Sequence, residues 1–226
     1  LTSWRLDDRS ATFRTGGEAE DVPGCAFFFH RLGYTTDGAL LATTSHDRTV
    51  GVLDAGSGAE IGRLPARDGS ILDLAFTADD RRLVVSADDN TIEVWDTRDW
   101  SIGTKISSPT GGYSALAPLP DDRIVVADVT GGLAAIDLAT GDTTMRFDAV
   151  LPPRPTVVAT SPDGSLVASP LLDGAIGVWS GTTGEWLATL QGHTDAVTGV
   201  AFASDGSELV SASADGTIRS WTLTEA

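Results

Sequence analysis

The stretch SASADGTIRSW at 211–221 ends on a tryptophan, and the same slot recurs at a fixed interval along the chain. It returns in TIEVWD (91–96) and AIGVWS (175–180), and in weaker form in TVGVLD (49–54) and GLAAID (132–137). The five slots lie 41 to 43 residues apart. A period of about 40 to 45 residues is typical of one supersecondary unit that is repeated because it cannot bury its apolar face alone. We therefore predict a repeat architecture that occupies nearly the whole chain.

Each repeat is predicted to contain short strands separated by turns. In the last copy, Val197–Phe202 and Glu208–Ser213 read as strands, and Ser204-Asp205-Gly206 between them has turn chemistry. Thr217–Leu223 reads as a third strand. In earlier copies a fourth strand follows a glycine-bearing turn, as in Gly184–Leu187. Strands this short, with a turn every ~8–12 residues, indicate an all-β protein.

These segments resemble the WD-repeat family of β-propellers. The resemblance is carried by SASADGTIRSW, by the Gly192-His193 pair that opens the last copy, and by VSADDNTIEVWD (85–96), SPDGSLVAS (161–169) and GVWSGTTGEW (177–186). It implies an all-β propeller of five four-stranded blades around a central channel, with a partial blade at the N-terminus.

The whole chain, 1–226, is predicted to be a single propeller domain. Residues 1–23 hold the tail of a preceding blade and an inter-blade loop, and the repeats follow at 24–64, 65–106, 107–147, 148–190 and 191–226. The last copy stops after its third strand, which the family pattern completes with a strand from the start of the chain. We therefore expect an incomplete ring, a fragment of a seven-bladed propeller.

The last repeat carries a set of side chains that resembles a serine-hydrolase triad with an added indole: His193, Ser211, Asp215 and Trp221. The resemblance to WD repeats implies instead a buried hydrogen-bond chain that fixes the blade, with either Ser211 or Ser213 as its hydroxyl. The turn aspartate of this chain recurs as Asp47, Asp89 and Asp173, whereas the third copy has Thr130. The histidine slot holds Cys25, Arg67 and Leu151 in other copies. Only the last repeat retains the full set.

Charge and composition exclude several function classes. With 15 basic and 32 acidic residues, the net charge is −17, which disfavours nucleic acids and anionic membrane surfaces as partners. One cysteine cannot form an internal disulfide or a multi-thiolate site. The three histidines show no metal-ligand spacing, and no GxxxxGK[ST] phosphate loop or GxSxG elbow is present. We expect no metal, no cofactor and no catalytic residue.

One face of the predicted propeller collects the loops that join second to third strands and one blade to the next. The resemblance implies that this face receives a protein or peptide partner. The candidate positions mix acids, arginines and two leucines: His46, Arg48, Arg67, Asp68, Asp88, Asn90, Arg154, Leu171, Leu172 and Asp195. Loops on a rigid scaffold are where binding residues concentrate.

The leading interpretation is a non-catalytic scaffold or sensor that binds a protein or peptide. The alternatives are a propeller enzyme, of hydrolase, lactonase or quinone-dependent type, and a purely structural filler in a larger assembly. The innermost strands oppose an enzyme, since they are apolar or small apart from His30 and Asp73. The excess of arginine over lysine suggests a GC-rich or salt-adapted source, and together with the resemblance to WD repeats it implies a bacterial one. We expect a cytoplasmic signalling protein, with a possible fusion to an upstream kinase or NTPase domain.

Overall fold

The computed structural model describes residues 2–4, 11–14, 31–45, 47–65, 68–149 and 151–223, the first two ranges by their backbone only. Within these ranges the chain is built of β-strands, and helical geometry is confined to one 3-10 turn at Leu172–Gly174. Cys25, His30, His46 and Arg67 are not among these ranges, so the predictions that fall on them lie outside the described residues.

The strands form antiparallel sheets whose members follow chain order. A two-stranded pair consists of β1 (Thr2–Trp4) and β2 (Ala11–Arg14). Blade 1 consists of β3 (Leu32–Tyr34), β4 (Leu40–Thr44), β5 (Val50–Asp54) and β6 (Glu60–Leu64). Blade 2 consists of β7 (Ile71–Phe76), β8 (Arg82–Ala87), β9 (Thr91–Asp96) and β10 (Ile102–Ser107).

The remaining blades repeat this order. Blade 3 consists of β11 (Tyr113–Pro118), β12 (Arg123–Asp128), β13 (Leu133–Asp137) and β14 (Thr143–Arg146). Blade 4 consists of β15 (Ala159–Thr160), β16 (Leu166–Pro170), β17 (Ile176–Ser180) and β18 (Trp186–Leu190). Blade 5 has three strands in the described part: β19 (Val197–Phe202), β20 (Glu208–Ser213) and β21 (Ile218–Thr222).

The predicted β-propeller fold is confirmed. Four blades have four strands, and blade 5 shows three within the described residues, as expected for a repeat that stops after its third strand. The first strands contact one another in chain order, β3 with β7, β7 with β11, β11 with β15 and β15 with β19. They therefore surround a common axis. The repeat boundaries and the total number of blades stay predictions.

The core lies between blades rather than inside them. Four separate apolar clusters occupy the four junctions between successive blades. Between blades 1 and 2, for example, Val50 and Leu64 pack with Leu74, Leu83 and Trp95. The middle strands are buried on both faces because each is covered by a neighbouring blade on either side, as the run of buried residues in β8 shows.

The outermost strands contrast with the middle ones. In β6 and β14 most residues are exposed or only partly buried. This gradient explains the sequence pattern: continuous Val/Ile/Leu runs in the second strands, and charged or hydroxyl side chains in the fourth.

Trp179 is the largest fully buried side chain of the fourth blade. Its indole N–H donates to the Asp148 carbonyl oxygen at 3.2 Å. Its ring meets Trp186 edge to face, with ring centroids 5.0 Å apart and an interplanar angle of 87°. Gly177, two residues earlier on the same strand, leaves room for this ring, because a Cβ atom there would overlap the Trp179 six-membered ring.

Replacing Gly177 with alanine is therefore expected to destabilise the protein. The added methyl group has to displace a tryptophan that is fixed by a hydrogen bond and by ring packing, so we expect a loss of about 1–3 kcal/mol in the free energy of unfolding. Urea denaturation monitored by tryptophan fluorescence measures it.

The matched control is Gly51→Ala, at the same repeat position of blade 1. A Cβ atom there would have its nearest neighbour, Thr43 Cγ2, at an ordinary contact distance of 3.7 Å. Gly51→Ala should leave stability unchanged or raise it slightly, because alanine restricts the unfolded chain. Equal losses for both variants would contradict this account of Gly177.

Candidate functional site

In blade 5, four side chains from three segments form one continuous hydrogen-bond chain. The Trp221 indole N–H donates to Ser211 Oγ at 2.8 Å. Ser211 Oγ lies 2.8 Å from His193 Nε2, and His193 Nδ1 lies 2.9 Å from Asp215 Oδ2. Because the carboxylate can only accept, the ring proton sits on Nδ1 and the Ser211 hydroxyl donates to Nε2. The chain runs from the indole to the carboxylate.

The hydrogen-bond chain ends at Asp215, whose carboxylate also accepts hydrogen bonds from Thr217 and from a backbone amide. The Thr217 hydroxyl donates to its Oδ1 at 2.7 Å, and the Thr194 amide donates to its Oδ2 at 3.0 Å. These donors, the Thr217 hydroxyl first and then the Thr194 amide and the His193 ring, hold the pKa of Asp215 well below its usual value. A carboxylate that stays ionised keeps the imidazole in one orientation.

This set has the connectivity of a serine-hydrolase triad, but its burial gives it a different role. His193 and Ser211 are 5% and 1% exposed, so a substrate has no access to the hydroxyl. The Ser211 oxygen is also occupied by the indole N–H. The alternative Ser213 does not join the chain, since its hydroxyl donates to the Asp195 carbonyl oxygen at 2.9 Å. The arrangement ties three segments of one blade together.

The other tryptophans satisfy their indole N–H groups differently. Trp95 donates to Glu93 Oε2 at 3.2 Å, on its own strand, and Lys105 Nζ lies 3.7 Å from the other oxygen of that carboxylate. Trp179 uses the Asp148 carbonyl oxygen instead. A buried indole N–H requires an acceptor, and blades 2, 4 and 5 each supply one from a different place.

The turn aspartates fall into two groups. Asp47 and Asp89 each accept from the amide and the hydroxyl of the threonine two residues later, Thr49 and Thr91. Asp173 differs from the prediction: it has left-handed backbone geometry, with φ of 60°, in the 3-10 turn, and its carboxylate makes no hydrogen bond to any described residue.

Blade 3 compensates for Thr130 with an acid that sequence alignment of the slots did not identify. Asp128 Oδ1 accepts from the Thr130 amide at 2.8 Å, from the Thr130 hydroxyl at 2.6 Å and from the Gly132 amide at 2.9 Å. The carboxylate is displaced by two residues but performs the same task. Its signal was available, because the aspartate stands two positions before a threonine, as in the other turns.

Part of the predicted partner face consists of loops at the junction of blades 1 and 2 that are joined by hydrogen bonds. Arg48 donates to the Asp68 carbonyl oxygen at 2.8 Å, and the Ser70 amide donates to Asp88 Oδ1 at 2.7 Å. Arg48 and Asn90 have left-handed backbones, with φ of 67° and 69°. The structure thus brings Arg48, Asp68 and Asp88 to one junction, where the Arg48 and Asp88 side chains bond to backbone groups.

The other predicted face residues belong to blades 4 and 5. Leu172 is 61% exposed, whereas its neighbour Leu171 packs partly against the core between blades 3 and 4. Asp195 is exposed, and its Oδ1 accepts from the Ala196 amide at 2.7 Å. Arg154 is exposed, with its amide donating to the Val129 carbonyl oxygen at 3.1 Å. His46 and Arg67 lie outside the described residues.

A small cavity of about 60 Å³ marks the mouth of the channel on this face. Leu72, Ser114 and Thr156 stand at equivalent repeat positions, 42 residues apart: the first two lie in β7 and β11, and Thr156 precedes β15. The rest of the lining comes from Arg31, Val129, Arg154 and Pro155. Four blades thus contribute to one mouth.

Arg31 extends over this mouth. Its Nε donates to the Leu72 carbonyl oxygen at 3.1 Å, and its Nη2 donates to the Thr156 carbonyl oxygen at 2.9 Å, across a sequence separation of 125 residues. Nε also lies 3.5 Å from Asp73 Oδ1. One guanidinium therefore joins blade 1 to blades 2 and 4.

Asp73 is the acid beneath this guanidinium. Its Oδ2 accepts from the Leu116 amide of blade 3 at 2.8 Å, and its Oδ1 from the Leu74 amide at 3.0 Å. Burial raises the pKa of Asp73 to about 6, against the opposing effects of the Arg31 charge and the two amides. The carboxylate bridges blades 2 and 3 as Arg31 bridges blades 1, 2 and 4.

Comparison with known proteins agrees with this architecture. A family model described as "WD domain, G-beta repeat" matches residues 58–96 and 184–222, which end with the third strands of blades 2 and 5. Both matches span the outer strand of one blade and the first three strands of the next. The two matched segments are WD repeats, and the chain is a β-propeller of the WD-repeat type. The matched segments contain Trp95 and Trp221, the slots from which the period was deduced.

Several WD-repeat relatives share parts of the chain. Autophagy-related protein 16 of Arabidopsis thaliana is 27% identical over 77% of this chain and 34% of its own length. Protein groucho of Drosophila melanogaster is 36% identical over 47% of this chain and 15% of its own length. Serine-threonine kinase receptor-associated protein of Dictyostelium discoideum is 41% identical over 26% and 20%. The chain thus covers 34% or less of each of these three relatives. They are eukaryotic, which does not support the expected bacterial source.

Within the described ranges, no group of three or more His, Cys, Asp or Glu side chains is placed to hold a metal ion. In the same part of the WD-repeat chain, no helix has the length and apolar character needed to cross a membrane.

The sequence-based reasoning missed Arg31. It stands 42 residues before Asp73, directly before the first strand of the adjacent blade, so the signal was an opposite charge at one of the two slots already noted as exceptional. The cross-channel bond to Thr156 had no signal in the repeat pattern, because it joins blades that are not neighbours.

Breaking the blade 5 chain is expected to destabilise the WD-repeat fold. His193→Ala removes the only ring between Ser211 and Asp215, and Ser211→Ala leaves the Trp221 and His193 nitrogens without their oxygen. We expect each to lower the free energy of unfolding by about 1–3 kcal/mol, as for other unsatisfied buried groups. Chemical denaturation at pH 7 measures the loss, and Ser213→Ala serves as the control with a smaller effect. Equal losses at Ser211 and Ser213 would refute the assignment.

Asp73 is expected to give stability a specific pH dependence. Because its pKa is raised to about 6 in the folded state, the folded protein holds this proton more tightly than the unfolded chain between about pH 4 and 6. The stability contributed by the protonated carboxyl is present below this window and lost as pH rises through it.

The measurement compares unfolding free energies of the wild type and Asp73→Asn from pH 4 to 7. The difference between the two proteins should change across this window in favour of the variant as pH rises. Parallel profiles would show that Asp73 ionises normally. Asp79→Asn, in an exposed turn where the pKa is lowered, should not reproduce this change.

Proposed function

We propose that this chain is a non-catalytic protein-interaction module that binds a peptide segment of a partner on the face carrying the channel mouth. The observation that supports this most directly is the exposure of Leu172 on that face, 61%, beside charged loop residues on rigid blades. An apolar anchor surrounded by polar groups is typical of a peptide-binding surface.

The geometry of the candidate site favours binding over catalysis. The one set of residues with catalytic connectivity is buried and hydrogen-bonded throughout, so it serves the blade. The loops of the face, by contrast, are held by hydrogen bonds from side chains to backbone groups, such as that from the Arg48 guanidinium to the Asp68 carbonyl oxygen. A preorganised surface loses little conformational entropy on binding.

The names of two relatives also support an interaction module. One is named for its association with a serine-threonine kinase receptor, and another for autophagy. For this chain we propose a role in signalling or assembly, in the cytoplasm, as part of a larger protein that includes a kinase or NTPase domain. The single cysteine of the sequence suits a reducing compartment.

Selection of peptides tests the proposed face. The full chain is used to select binders from a library of random twelve-residue peptides displayed on phage, and calorimetry then measures the Kd of the best synthetic peptide. Leu172→Asp should weaken binding about tenfold or more, because it places a charge in the apolar anchor.

The matched control is Leu187→Asp, a leucine of the same blade that is 53% exposed on the outermost strand β18. It should leave the Kd unchanged. A loss with Leu187→Asp and none with Leu172→Asp would move the binding site to the outer rim. Failure to select any peptide would favour a structural filler over an interaction module.

A further inference from the structure

The guanidinium of Arg154 is held at the channel mouth without an acidic partner. Six other basic side chains of the described residues lie within 4.0 Å of a carboxylate: Arg31, Arg63, Arg81, Arg82, Arg98 and Lys105. Arg154 forms no ion pair or side-chain hydrogen bond with the described part of the chain. Among the basic side chains lacking an acid there, it is the one that lines the mouth cavity.

The backbone presents this side chain rigidly. Arg154 adopts a left-handed conformation with φ of 54°, which is uncommon for a residue with a Cβ atom. Its amide is fixed to the Val129 carbonyl oxygen of blade 3, and prolines stand on both sides, at Pro153 and Pro155. Strain of this kind persists where the surroundings over-determine the conformation, and it is concentrated at binding sites.

The size and lining of the cavity beside Arg154 suit a small anionic group with an apolar stem. A volume of about 60 Å³ holds roughly four water-sized atoms, the number of heavy atoms in a –CH2–COO⁻ group. Leu72, Val129 and Pro155 line it with apolar surface, while Ser114 adds a hydroxyl. Arg31 also lines it, but its guanidinium is already paired with Asp73, which leaves the Arg154 charge for a ligand.

We infer that the mouth cavity is a subsite for a single peptide carboxylate. The Arg154 guanidinium binds this carboxylate, and the aliphatic stem of the ligand packs against Leu72, Val129 and Pro155. This inference rests on the proposed function, since it names the chemistry that the peptide brings to the face. Arginine binds carboxylates through paired N–H donors, which makes the contact stronger and more directional than a neutral hydrogen bond.

The charge of the whole protein makes this subsite selective. A net charge of −17 repels polyanions at a distance, so a ligand with many negative charges approaches poorly. A peptide with one carboxylate experiences less of this repulsion and gains the local contact. The carboxylate comes either from a Glu or Asp side chain or from the C-terminus of the partner.

Fluorescence polarisation with labelled peptide pools tests the inference. Three degenerate pools of eight uncharged residues are compared: one amidated and neutral, one amidated with a central Glu, and one with a free C-terminal carboxylate. The proteins are the wild type, Arg154→Gln, Arg154→Lys and Arg81→Gln, each checked for folding by thermal denaturation. Arg81 lies in a turn between first and second strands, at the opposite end of the blade from the mouth.

We expect one carboxylate pool to bind the wild type about tenfold more tightly than the neutral pool. This preference should disappear in Arg154→Gln, persist in part in Arg154→Lys, and remain intact in Arg81→Gln. The pool that shows it identifies the side chain or the C-terminus as the source.

The other outcomes overturn the inference in distinguishable ways. Equal binding of all three pools to the wild type would remove the carboxylate subsite but leave the peptide-binding face in place. An equal loss of preference in Arg154→Gln and Arg81→Gln would show a general charge effect without a local site. If no pool binds the wild type, the proposed function fails together with the subsite.

Discussion

A single blade cannot bury both faces of its sheet, and the rest of this structure depends on that constraint. The apolar clusters lie at the junctions between blades, so each middle strand is covered only because two neighbours are present. The dense packing of these clusters limits side-chain size at particular positions. At Gly177 it leaves space for the Trp179 ring, while the equivalent Gly51 faces no such neighbour.

The tryptophans show how one physical demand is met by different sequences. Each buried indole N–H needs an acceptor, and the acceptors are a serine hydroxyl in blade 5, a glutamate in blade 2 and a backbone carbonyl group in blade 4. The repeats can therefore diverge in their polar residues while they keep the same ring in the same slot. Blade 3 has no tryptophan in this slot, where buried Ile136 removes the demand altogether.

Much of the fold could be predicted from the sequence because the repeat encodes local geometry. Strand order and turn positions follow from spacings within one repeat, and the structure matches them. The membership of the His193 chain was implied by the resemblance to WD repeats, and the observed hydrogen bonds agree with it. The choice of Ser211 over Ser213 depends on which side of the strand faces the imidazole, which spacing alone left open. The displaced carboxylate of Asp128 and the left-handed Asp173 reflect local substitutions that a slot alignment does not follow. The bond from Arg31 to Thr156 lay beyond reach because it joins blades that are not neighbours.

The bond from Arg31 to Thr156 also carries information about the order of folding. Most contacts in this protein join residues within one repeat or between adjacent repeats, so they close short loops at a small entropic cost. The Arg31–Thr156 bond closes a loop of 125 residues and needs the first strands of blades 1 and 4 in position around the axis. It therefore forms after the intervening blades have assembled, as a final closing step rather than as part of the folding nucleus.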